Sequence, residues 1–100
     1  MPPVDRVLQL LEAFKKSKEM IVHPVDVHTV QTFLTGFRSG CAACGLEVPR
    51  KLQWQVLEGR GWKRAAAGPV GQMKEKGMAD PAIIDELIDI EIEQLQRLPK

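Results

Sequence analysis

The chain has 100 residues, of which 44% are hydrophobic and 27% are charged, and its formal net charge at pH 7 is +1. This length suits one domain, and a charge near zero provides no overall field that would attract nucleic acid or lipid headgroups. The longest stretch without a charged side chain, from Val27 to Phe37, is 11 residues, against ~18 for a membrane span. An acid already stands at Asp5 and no basic and apolar leader precedes it, so we expect a cytoplasmic protein without a secretory signal.

The first predicted helix runs from about Val4 to Met20. Its apolar residues recur three and four positions apart, so they share one face, and Pro3 suits a first helical turn. The residues that follow, up to Pro24, predict an extended link, because proline disfavours the helical conformation in the residue before it. Residues 1–22 could pack only loosely on the remainder of the domain.

The second predicted helix has the clearest start and end. Asp26 is suited to cap its N-terminus, and Gly45 is suited to end it in a left-handed conformation. Between them runs one regular apolar seam with spacings of three and four, which makes this helix the predicted centre of the core. The seam consists of Val27, Val30, Leu34, Phe37, Cys41 and Cys44.

Three more helices and one further short helical segment are predicted in the second half of the chain. One follows Pro49 and is broken at Gly59, a brief one spans 69–76, and a further short helix is expected around 63–67. The last begins with Asp80 as its cap and continues without glycine or proline beyond its first turn. The pattern therefore predicts an all-α fold: a compact single-domain bundle of four to five helices that includes the whole chain.

Charge is unevenly distributed along this nearly neutral chain. Residues 50–76 hold seven basic and two acidic side chains, whereas residues 80–100 hold six acidic and two basic ones. Two interpretations stay open. Neighbouring helices of opposite charge commonly pair, so the two segments could neutralise each other within the monomer. Alternatively, one segment could remain exposed for a partner.

The last predicted helix offers the leading candidate for a binding surface. Its acidic residues share a face opposite the apolar one, although a solvated outer face has the same pattern. Glu91 differs, because on a helical wheel it falls among apolar residues, and burying a lone carboxylate is costly. We expect Glu91 to reach solvent, to pair with a base such as Arg60 or Arg64, or to contact a partner. The candidate partner-binding residues are Asp85, Glu86, Asp89 and Glu93.

A basic segment is the alternative site. Arg60, Lys63 and Arg64 could contact phosphates while Trp62 stacks on a base, although most tryptophans are largely buried in the core. A helix-turn-helix arrangement is excluded by charge, because its recognition helix would place four carboxylates against DNA. Nucleic acid is therefore the alternative partner and not the leading one.

Cys41 and Cys44 form a Cys-x-x-Cys motif, and His23 and His28 lie upstream of it. This spacing suits a redox pair, or a metal site with the two histidines as further ligands. Packing is the favoured interpretation, because both cysteines fall on the apolar seam and the dipole near a helix C-terminus opposes a thiolate. The sequence lacks the motifs of serine hydrolases, phosphate loops and metalloproteases. We therefore expect neither an enzyme nor a cofactor.

A scattered set of motifs extends over residues 33–95: Phe-Leu-x-Gly-Phe at 33–37, a glycine at Gly45, Arg-Gly-Trp at 60–62, and an acidic and aliphatic last helix. This combination resembles small helical immunity proteins of bacterial polymorphic toxin systems. Members of such families are cytoplasmic and non-enzymatic, and they block a cognate toxin by binding it. The resemblance implies a protein–protein interaction module whose acidic residues contact a basic toxin-like partner. A homodimer is the other protein partner considered.

Overall fold

A computed structural model of the protein describes residues 3–99. Five α-helices and one short 3₁₀ turn make up the regular structure of these residues, with no strand among them, which confirms the predicted all-α fold. Within the same range no helix combines the length and apolar character needed to cross a membrane. The elements, in chain order, are α1 (Pro3–Lys16), the 3₁₀ turn (Lys18–Met20), α2 (Val27–Ala43), α3 (Arg50–Gly59), α4 (Pro69–Glu75) and α5 (Asp80–Gln96).

Helix α1 ends one turn earlier than predicted and packs firmly on the domain. It stops at Lys16, and the separate 3₁₀ turn carries the chain to Met20. Leu11 and Phe14 are both fully buried, and the ring of Phe14 lies 4.7 Å, between centroids, from that of Phe33 in α2. The loose packing considered for the N-terminal residues is therefore wrong for the described part of α1, because two large apolar side chains anchor it in the core.

Both ends of α2 are fixed by residues next to them in the sequence. As predicted, Asp26 caps the helix, and its Oδ1 accepts a hydrogen bond from the backbone N–H of Thr29 at 2.7 Å. At the other end Gly45 has a φ of +92°, and the N–H of Leu46 donates to the carbonyl of Cys41 at 2.8 Å. This Schellman arrangement needs a left-handed residue, which glycine adopts without the strain that a Cβ would cause.

Helices α3 and α4 end in the same way. Gly61 follows α3 with a φ of +95°, and Gly77 follows α4 with a φ of +78°. The N–H of Trp62 donates to a carbonyl one turn earlier in α3 at 2.9 Å, so the chain folds back and Trp62 is buried. The prediction of a short helix around residues 63–67 is wrong. This stretch is an irregular loop, held by hydrogen bonds between its backbone and the side-chain amide of Gln72.

Helix α5 is the central element, against which α1, α2, α3 and α4 all pack. The expectation that α2 forms the centre of the core is wrong, because the fully buried residues of α2 end at Leu34. A helix that packs against neighbours on several sides buries residues over most of its circumference and not along one apolar stripe, and α5 does so. Its buried residues are Ile83, Ile84, Ile88, Ile90, Glu91, Gln94 and Leu95.

The start of α5 differs by one residue from the prediction. Ala79 is its N-cap and makes no side-chain hydrogen bond there, while Asp80 and Pro81 occupy the first two helical positions. Proline loses no helical hydrogen bond in the first turn, and a carboxylate there interacts favourably with the helix dipole. Asp80 therefore stabilises this helix end by its charge and not as the cap.

Candidate functional site

The four acidic residues predicted to bind a partner lie on one face of α5, and each of them forms an ion pair within the chain. Along one edge of this face, α1 and the 3₁₀ turn supply the cations. The Nζ of Lys15 lies 2.7 Å from Oδ1 of Asp89, and the Nζ of Lys18 lies 2.9 Å from Oδ1 of Asp85. The N-terminal elements therefore cover this edge with positive charge.

Arg60, at the end of α3, covers the other edge. Its Nε and Nη2 donate to the two carboxylate oxygens of Glu86 at 2.8 and 2.7 Å, and its Nη1 donates to Glu93 at 2.8 Å. Trp62 Nε1 also donates to Glu86, at 2.9 Å, and Arg97 pairs with Glu93 at 2.7 Å. A guanidinium that meets a carboxylate through two parallel bonds makes a strong, directional contact. The chain thus neutralises its own acidic face, but the pairing of residues 50–76 with residues 80–100 that the sequence left open is seen only at Arg60, because Lys15 and Lys18 come from the N-terminal elements.

Replacing Glu86 with glutamine is expected to lower the free energy of unfolding by about 2 kcal/mol at pH 7. The hydrogen bond from Arg60 holds the pKa of Glu86 below its ordinary value against the opposing effect of burial, and Trp62 adds to the lowering. Because this pKa is lowered on folding, the stabilisation is fully present above the unfolded pKa of about 4.3 and is lost as the pH falls through the folded pKa. The difference between wild type and Glu86→Gln should therefore shrink from pH 7 to pH 3 in urea unfolding.

The matched control for this pH series is Glu75→Gln, which changes an exposed glutamate of α4. We expect Glu75→Gln to alter stability by less than about 0.5 kcal/mol at either pH. A Glu86→Gln deficit of the same size at pH 3 and pH 7 would contradict a role for the ionised carboxylate.

The same contacts leave two residues of the alternative basic site, Arg60 and Trp62, unable to bind nucleic acid. Arg60 is engaged by the acids of α5, and Trp62 is only 5% exposed, so its ring is not available to stack on a base. Lys63 and Arg64 remain exposed, and the guanidinium of Arg64 lies over the ring of Trp54, 4.8 Å from its centroid. The four predicted residues therefore do not present a common phosphate-binding surface.

The cysteines and histidines do not assemble into a site. Cys41 is partly exposed and Cys44 is exposed, so the predicted burial of both is wrong. The periodic spacing identifies which face of α2 is apolar, but it does not show how far along the helix another element packs on that face. His23 and His28 are exposed, and within residues 3–99 no group of three or more His, Cys, Asp or Glu side chains is placed to hold a metal ion. Burial raises the pKa of the Cys41 thiol, with a contribution from the nearby carboxylate of α5, which lowers the thiolate fraction that redox chemistry needs.

A cavity of about 250 Å³ opens between α2, α3, α4 and α5. Apolar side chains from all four helices form most of its wall, and polar side chains from α2, α3 and α5 converge on it. A concave, mainly apolar site with a few convergent polar groups is the usual form of a binding pocket. The polar residues that line it are Gln31, Thr35, Arg38, Gln53, Glu91 and Gln94.

Glu91 and Arg38 form an ion pair in the cavity lining. The side chain of Glu91 is 3% exposed and that of Arg38 is 41% exposed, and Nη2 of Arg38 donates to Oε1 of Glu91. The helical wheel placed Glu91 among apolar residues and so indicated that its carboxylate needs a partner or solvent. The partner is Arg38, and neither Arg60 nor Arg64. Arg38 precedes Glu91 by 53 residues, so only the packing of α2 on α5 brings the two charges together.

Gln94 is the buried polar residue that sequence analysis missed. It is 2% exposed, its Nε2 donates one long hydrogen bond to the carbonyl of Gln53 at 3.4 Å, and its Oε1 accepts none. The Nε of Arg38 is also buried and donates none. The buried Glu91, its pair with Arg38 and the buried Gln94 all belong to the lining of this concave, mainly apolar cavity, which makes it the candidate functional site. A helical wheel could have indicated that Gln94 is buried, because residues i and i+3 lie on the same side of a helix and Gln94 follows Glu91 by three positions.

Comparison of the chain with protein-family models, with curated proteins and with solved structures found no match. The resemblance to immunity proteins therefore stays a prediction. The cavity and the contacts around it supply the observations from which function can be inferred.

Proposed function

We propose that this protein is a non-enzymatic protein–protein interaction module that holds one side chain of its partner in the cavity between α2, α3, α4 and α5. The observation that carries the proposal is the cavity itself, a concave and mainly apolar site whose lining includes two buried polar side chains, Glu91 and Gln94. Glu91 is 3% exposed and Gln94 is 2% exposed, and a few polar groups in a mainly apolar wall fix the orientation of a bound group.

The size of the cavity suits an inserted side chain. Its volume, about 250 Å³, lies below the range of roughly 300–1,000 Å³ typical of small-molecule pockets. Protein interfaces often concentrate their affinity in one anchor residue that fills a pocket, with a polar rim around it. Gln31 and Thr35 of α2 are exposed at this cavity and supply such a rim.

The acidic face is less suited to be the main contact. A basic, toxin-like partner would have to displace Lys15, Lys18 and Arg60 from their carboxylates, and the exchange of one partly exposed ion pair for another gains little free energy. A group that enters the cavity displaces none of these ion pairs, because none of the four acids lines it. We therefore place the contact at the cavity, with Asp85, Glu86, Asp89 and Glu93 as the alternative surface for an immunity-like interaction.

Replacing Thr35 with tryptophan is expected to abolish partner capture without unfolding the protein. Thr35 is exposed and lines the cavity, so an indole at this position obstructs the site while adding little strain to the core. The measurement is affinity capture from the source organism, quantified by mass spectrometry for wild type and variant side by side. We expect one specific protein to fall by at least about tenfold, as for the loss of a hot-spot contact, while far-UV circular dichroism is unchanged.

Two further variants make the capture experiment specific. Thr32→Trp places the same bulk on α2 at an exposed residue outside the cavity lining and should retain the partner. The pair Asp85→Asn and Asp89→Asn removes charge from the acidic face and should also retain it. A partner that survives Thr35→Trp but is lost with the asparagine pair would contradict the cavity and favour the acidic face.

A further inference from the structure

We infer that the partner of this cavity is an acidic protein segment: one of its apolar side chains enters the cavity, and aspartate or glutamate residues beside that side chain contact cations around the mouth. The inference rests on the proposed function for the inserted side chain, and on the charges outside the cavity for the sign of the partner. Three cations, which we call the basic rim, carry it. They are Arg50, Arg64 and Lys74.

The fold leaves the basic segment of residues 50–76 largely without acidic partners. The acids of α5 pair with cations of α1, the 3₁₀ turn and α2, and of the basic segment only Arg60 joins them. The segment contains just two acids, Glu58 and Glu75. In the part of the chain that the structure describes, the exposed cations of this segment that form no ion pair are Arg50, Lys51, Lys63, Lys74 and Lys76. Of the two charged segments, the basic one is therefore the one that stays available to a partner.

Two cations of the basic rim lie beside Trp54, which lines the cavity. Arg50 precedes Gln53 and Trp54 by three and four residues in α3, so it lies on the same side of the helix as these two lining residues. The guanidinium of Arg64 lies over the ring of Trp54, 4.8 Å from its centroid. Arg64 pairs only with Glu58, at 3.7 Å, and both side chains are more than half exposed. Such an exposed pair contributes little free energy, so a carboxylate of the partner can replace Glu58 at small loss.

Lys74 adds the third cation, on the α4 side of the cavity. It is exposed and follows Val70, a lining residue, by four positions, so the two share one side of α4. The charges in the lining itself, Arg38 and Glu91, have opposite signs and pair with each other. The basic rim therefore gives the mouth of the cavity a positive potential. Because the net charge of the whole chain is only +1, this potential is local and attracts carboxylates to this surface in particular.

The apolar wall favours an acidic protein over a nucleic acid. Proteins that bind single strands combine cations with aromatic rings on which bases stack. Here Trp62 is only 5% exposed, and the guanidinium of Arg64 covers a face of Trp54. Apolar side chains such as Leu57 and Val70 line the cavity and suit an aliphatic or aromatic anchor residue of a protein. Carboxylates on both sides of such an anchor are then placed to contact the basic rim.

The test is heteronuclear NMR titration of the wild-type chain with four synthetic peptides of equal length. The acidic peptide has one leucine between glutamates; the second has glutamine and the third has lysine in place of each glutamate, and the fourth keeps the glutamates but has alanine in place of the leucine. At about 20 mM salt we expect the acidic leucine peptide to shift signals of cavity residues saturably. It should bind at least about tenfold more tightly than each of the others, because several ion pairs and an apolar anchor act together. At about 300 mM salt its advantage over the glutamine peptide should fall below about threefold, since salt screens exposed charges.

Three results would overturn the inference. The first is the absence of a saturable shift with the acidic leucine peptide, or binding of the glutamine or lysine peptide that is equally tight at low salt. The second is equal binding of the alanine peptide, which would mean that the carboxylates bind without an inserted anchor. The third is a single-stranded thymidine oligonucleotide that binds as tightly as the acidic leucine peptide, which would assign the basic rim to nucleic acid.

Charge reversal at the basic rim separates attraction from a structural effect. In the double variant Arg50→Glu, Lys74→Glu we expect the preference to invert, so that the lysine peptide binds more tightly than the acidic leucine peptide, whereas a loss of structure would weaken the binding of both. The control Arg6→Glu, Lys16→Glu makes the same change of charge at exposed residues of α1, which does not line the cavity. It should retain the original preference. A rim variant that still prefers the acidic peptide, or a control that does not, would contradict the role of the basic rim.

The peptide ranking and the capture experiment fail separately. Partner capture that depends on position 35, without any preference of the wild-type chain for the acidic peptide, contradicts the acidic partner alone. A preference for the acidic peptide together with partner capture that is indifferent to Thr35→Trp contradicts the proposed function alone.

Discussion

Replacing Phe14 with alanine is expected to lower the free energy of unfolding by about 4 kcal/mol. Phe14 is fully buried, and its ring packs against that of Phe33 with 4.7 Å between centroids. Truncation removes this apolar burial and leaves a void that the close-packed surroundings fill only in part. Domains of this size have roughly 5–15 kcal/mol of total stability, so the variant retains a small margin. Urea unfolding followed by far-UV circular dichroism measures the difference.

Leu10→Ala is the matched control, because Leu10 lies on the same helix and is 47% exposed. We expect it to cost less than about 1 kcal/mol, since about half of its surface is already in water and Leu10 is not part of the buried core. If Phe14→Ala destabilised the protein no more than Leu10→Ala, α1 would be a loosely attached helix, as considered for residues 1–22 on sequence grounds, and its burial in the core would be contradicted.

Replacing Arg38 with methionine is the second change with a large expected effect, about 3 kcal/mol. Methionine retains an unbranched apolar stem, so the main loss is the positive charge that pairs with Glu91. The Glu91 side chain is 3% exposed, and a buried carboxylate without a partner has lost its hydration with no compensation. Urea unfolding at pH 7 is the measurement.

The two ends of this ion pair should respond unequally. Glu91→Gln leaves Arg38, whose side chain is 41% exposed and can be hydrated, so we expect a loss of only about 1 kcal/mol. The double variant Arg38→Met, Glu91→Gln should be about 2 kcal/mol more stable than Arg38→Met alone, because it no longer buries an unpaired charge. Equal losses from the two single variants, or no recovery in the double variant, would contradict this account of the pair.

Helix α5 connects stability with the proposed function. One of its faces holds acids that are neutralised by Lys15, Lys18 and Arg60, and another lines the cavity with Glu91 and Gln94. Since a ligand that binds only the folded state stabilises it by mass action, occupation of the cavity should raise the thermal midpoint. Thermal unfolding therefore detects the binding of any added partner or probe, whatever its identity.

Much of the fold could be predicted from the sequence, because helix ends depend on residues close in the chain. Asp26 caps α2, and Gly45, Gly61 and Gly77 end three helices with positive φ angles. Each of these signals acts within one turn of its own position, through a hydrogen bond or a backbone conformation. The failures lie where the local pattern is ambiguous, as at 63–67, where alanines favour helix but the loop is held by distant hydrogen bonds from Gln72.

The candidate site was less predictable, and for one physical reason. A helical wheel places Glu91 among apolar residues and so indicates that it needs a partner, and the same test applies to Gln94. It cannot name Arg38, because the pairing depends on how α2 crosses α5 and not on spacing within either helix. For the same reason periodicity overestimated the burial of Cys41 and Cys44, which lie beyond the buried part of α2.

By itself, then, the sequence determined the all-α class, most helix ends and the separation of acidic from apolar side chains, because each of these follows from interactions within one or two helical turns. Only the tertiary structure decided that α5 and not α2 is central, that the acidic face is covered by the chain's own cations, and that a cavity lies beside Glu91 and Gln94. These features depend on contacts between residues far apart in the chain, and their free energies are set by burial and partner geometry that no local pattern contains.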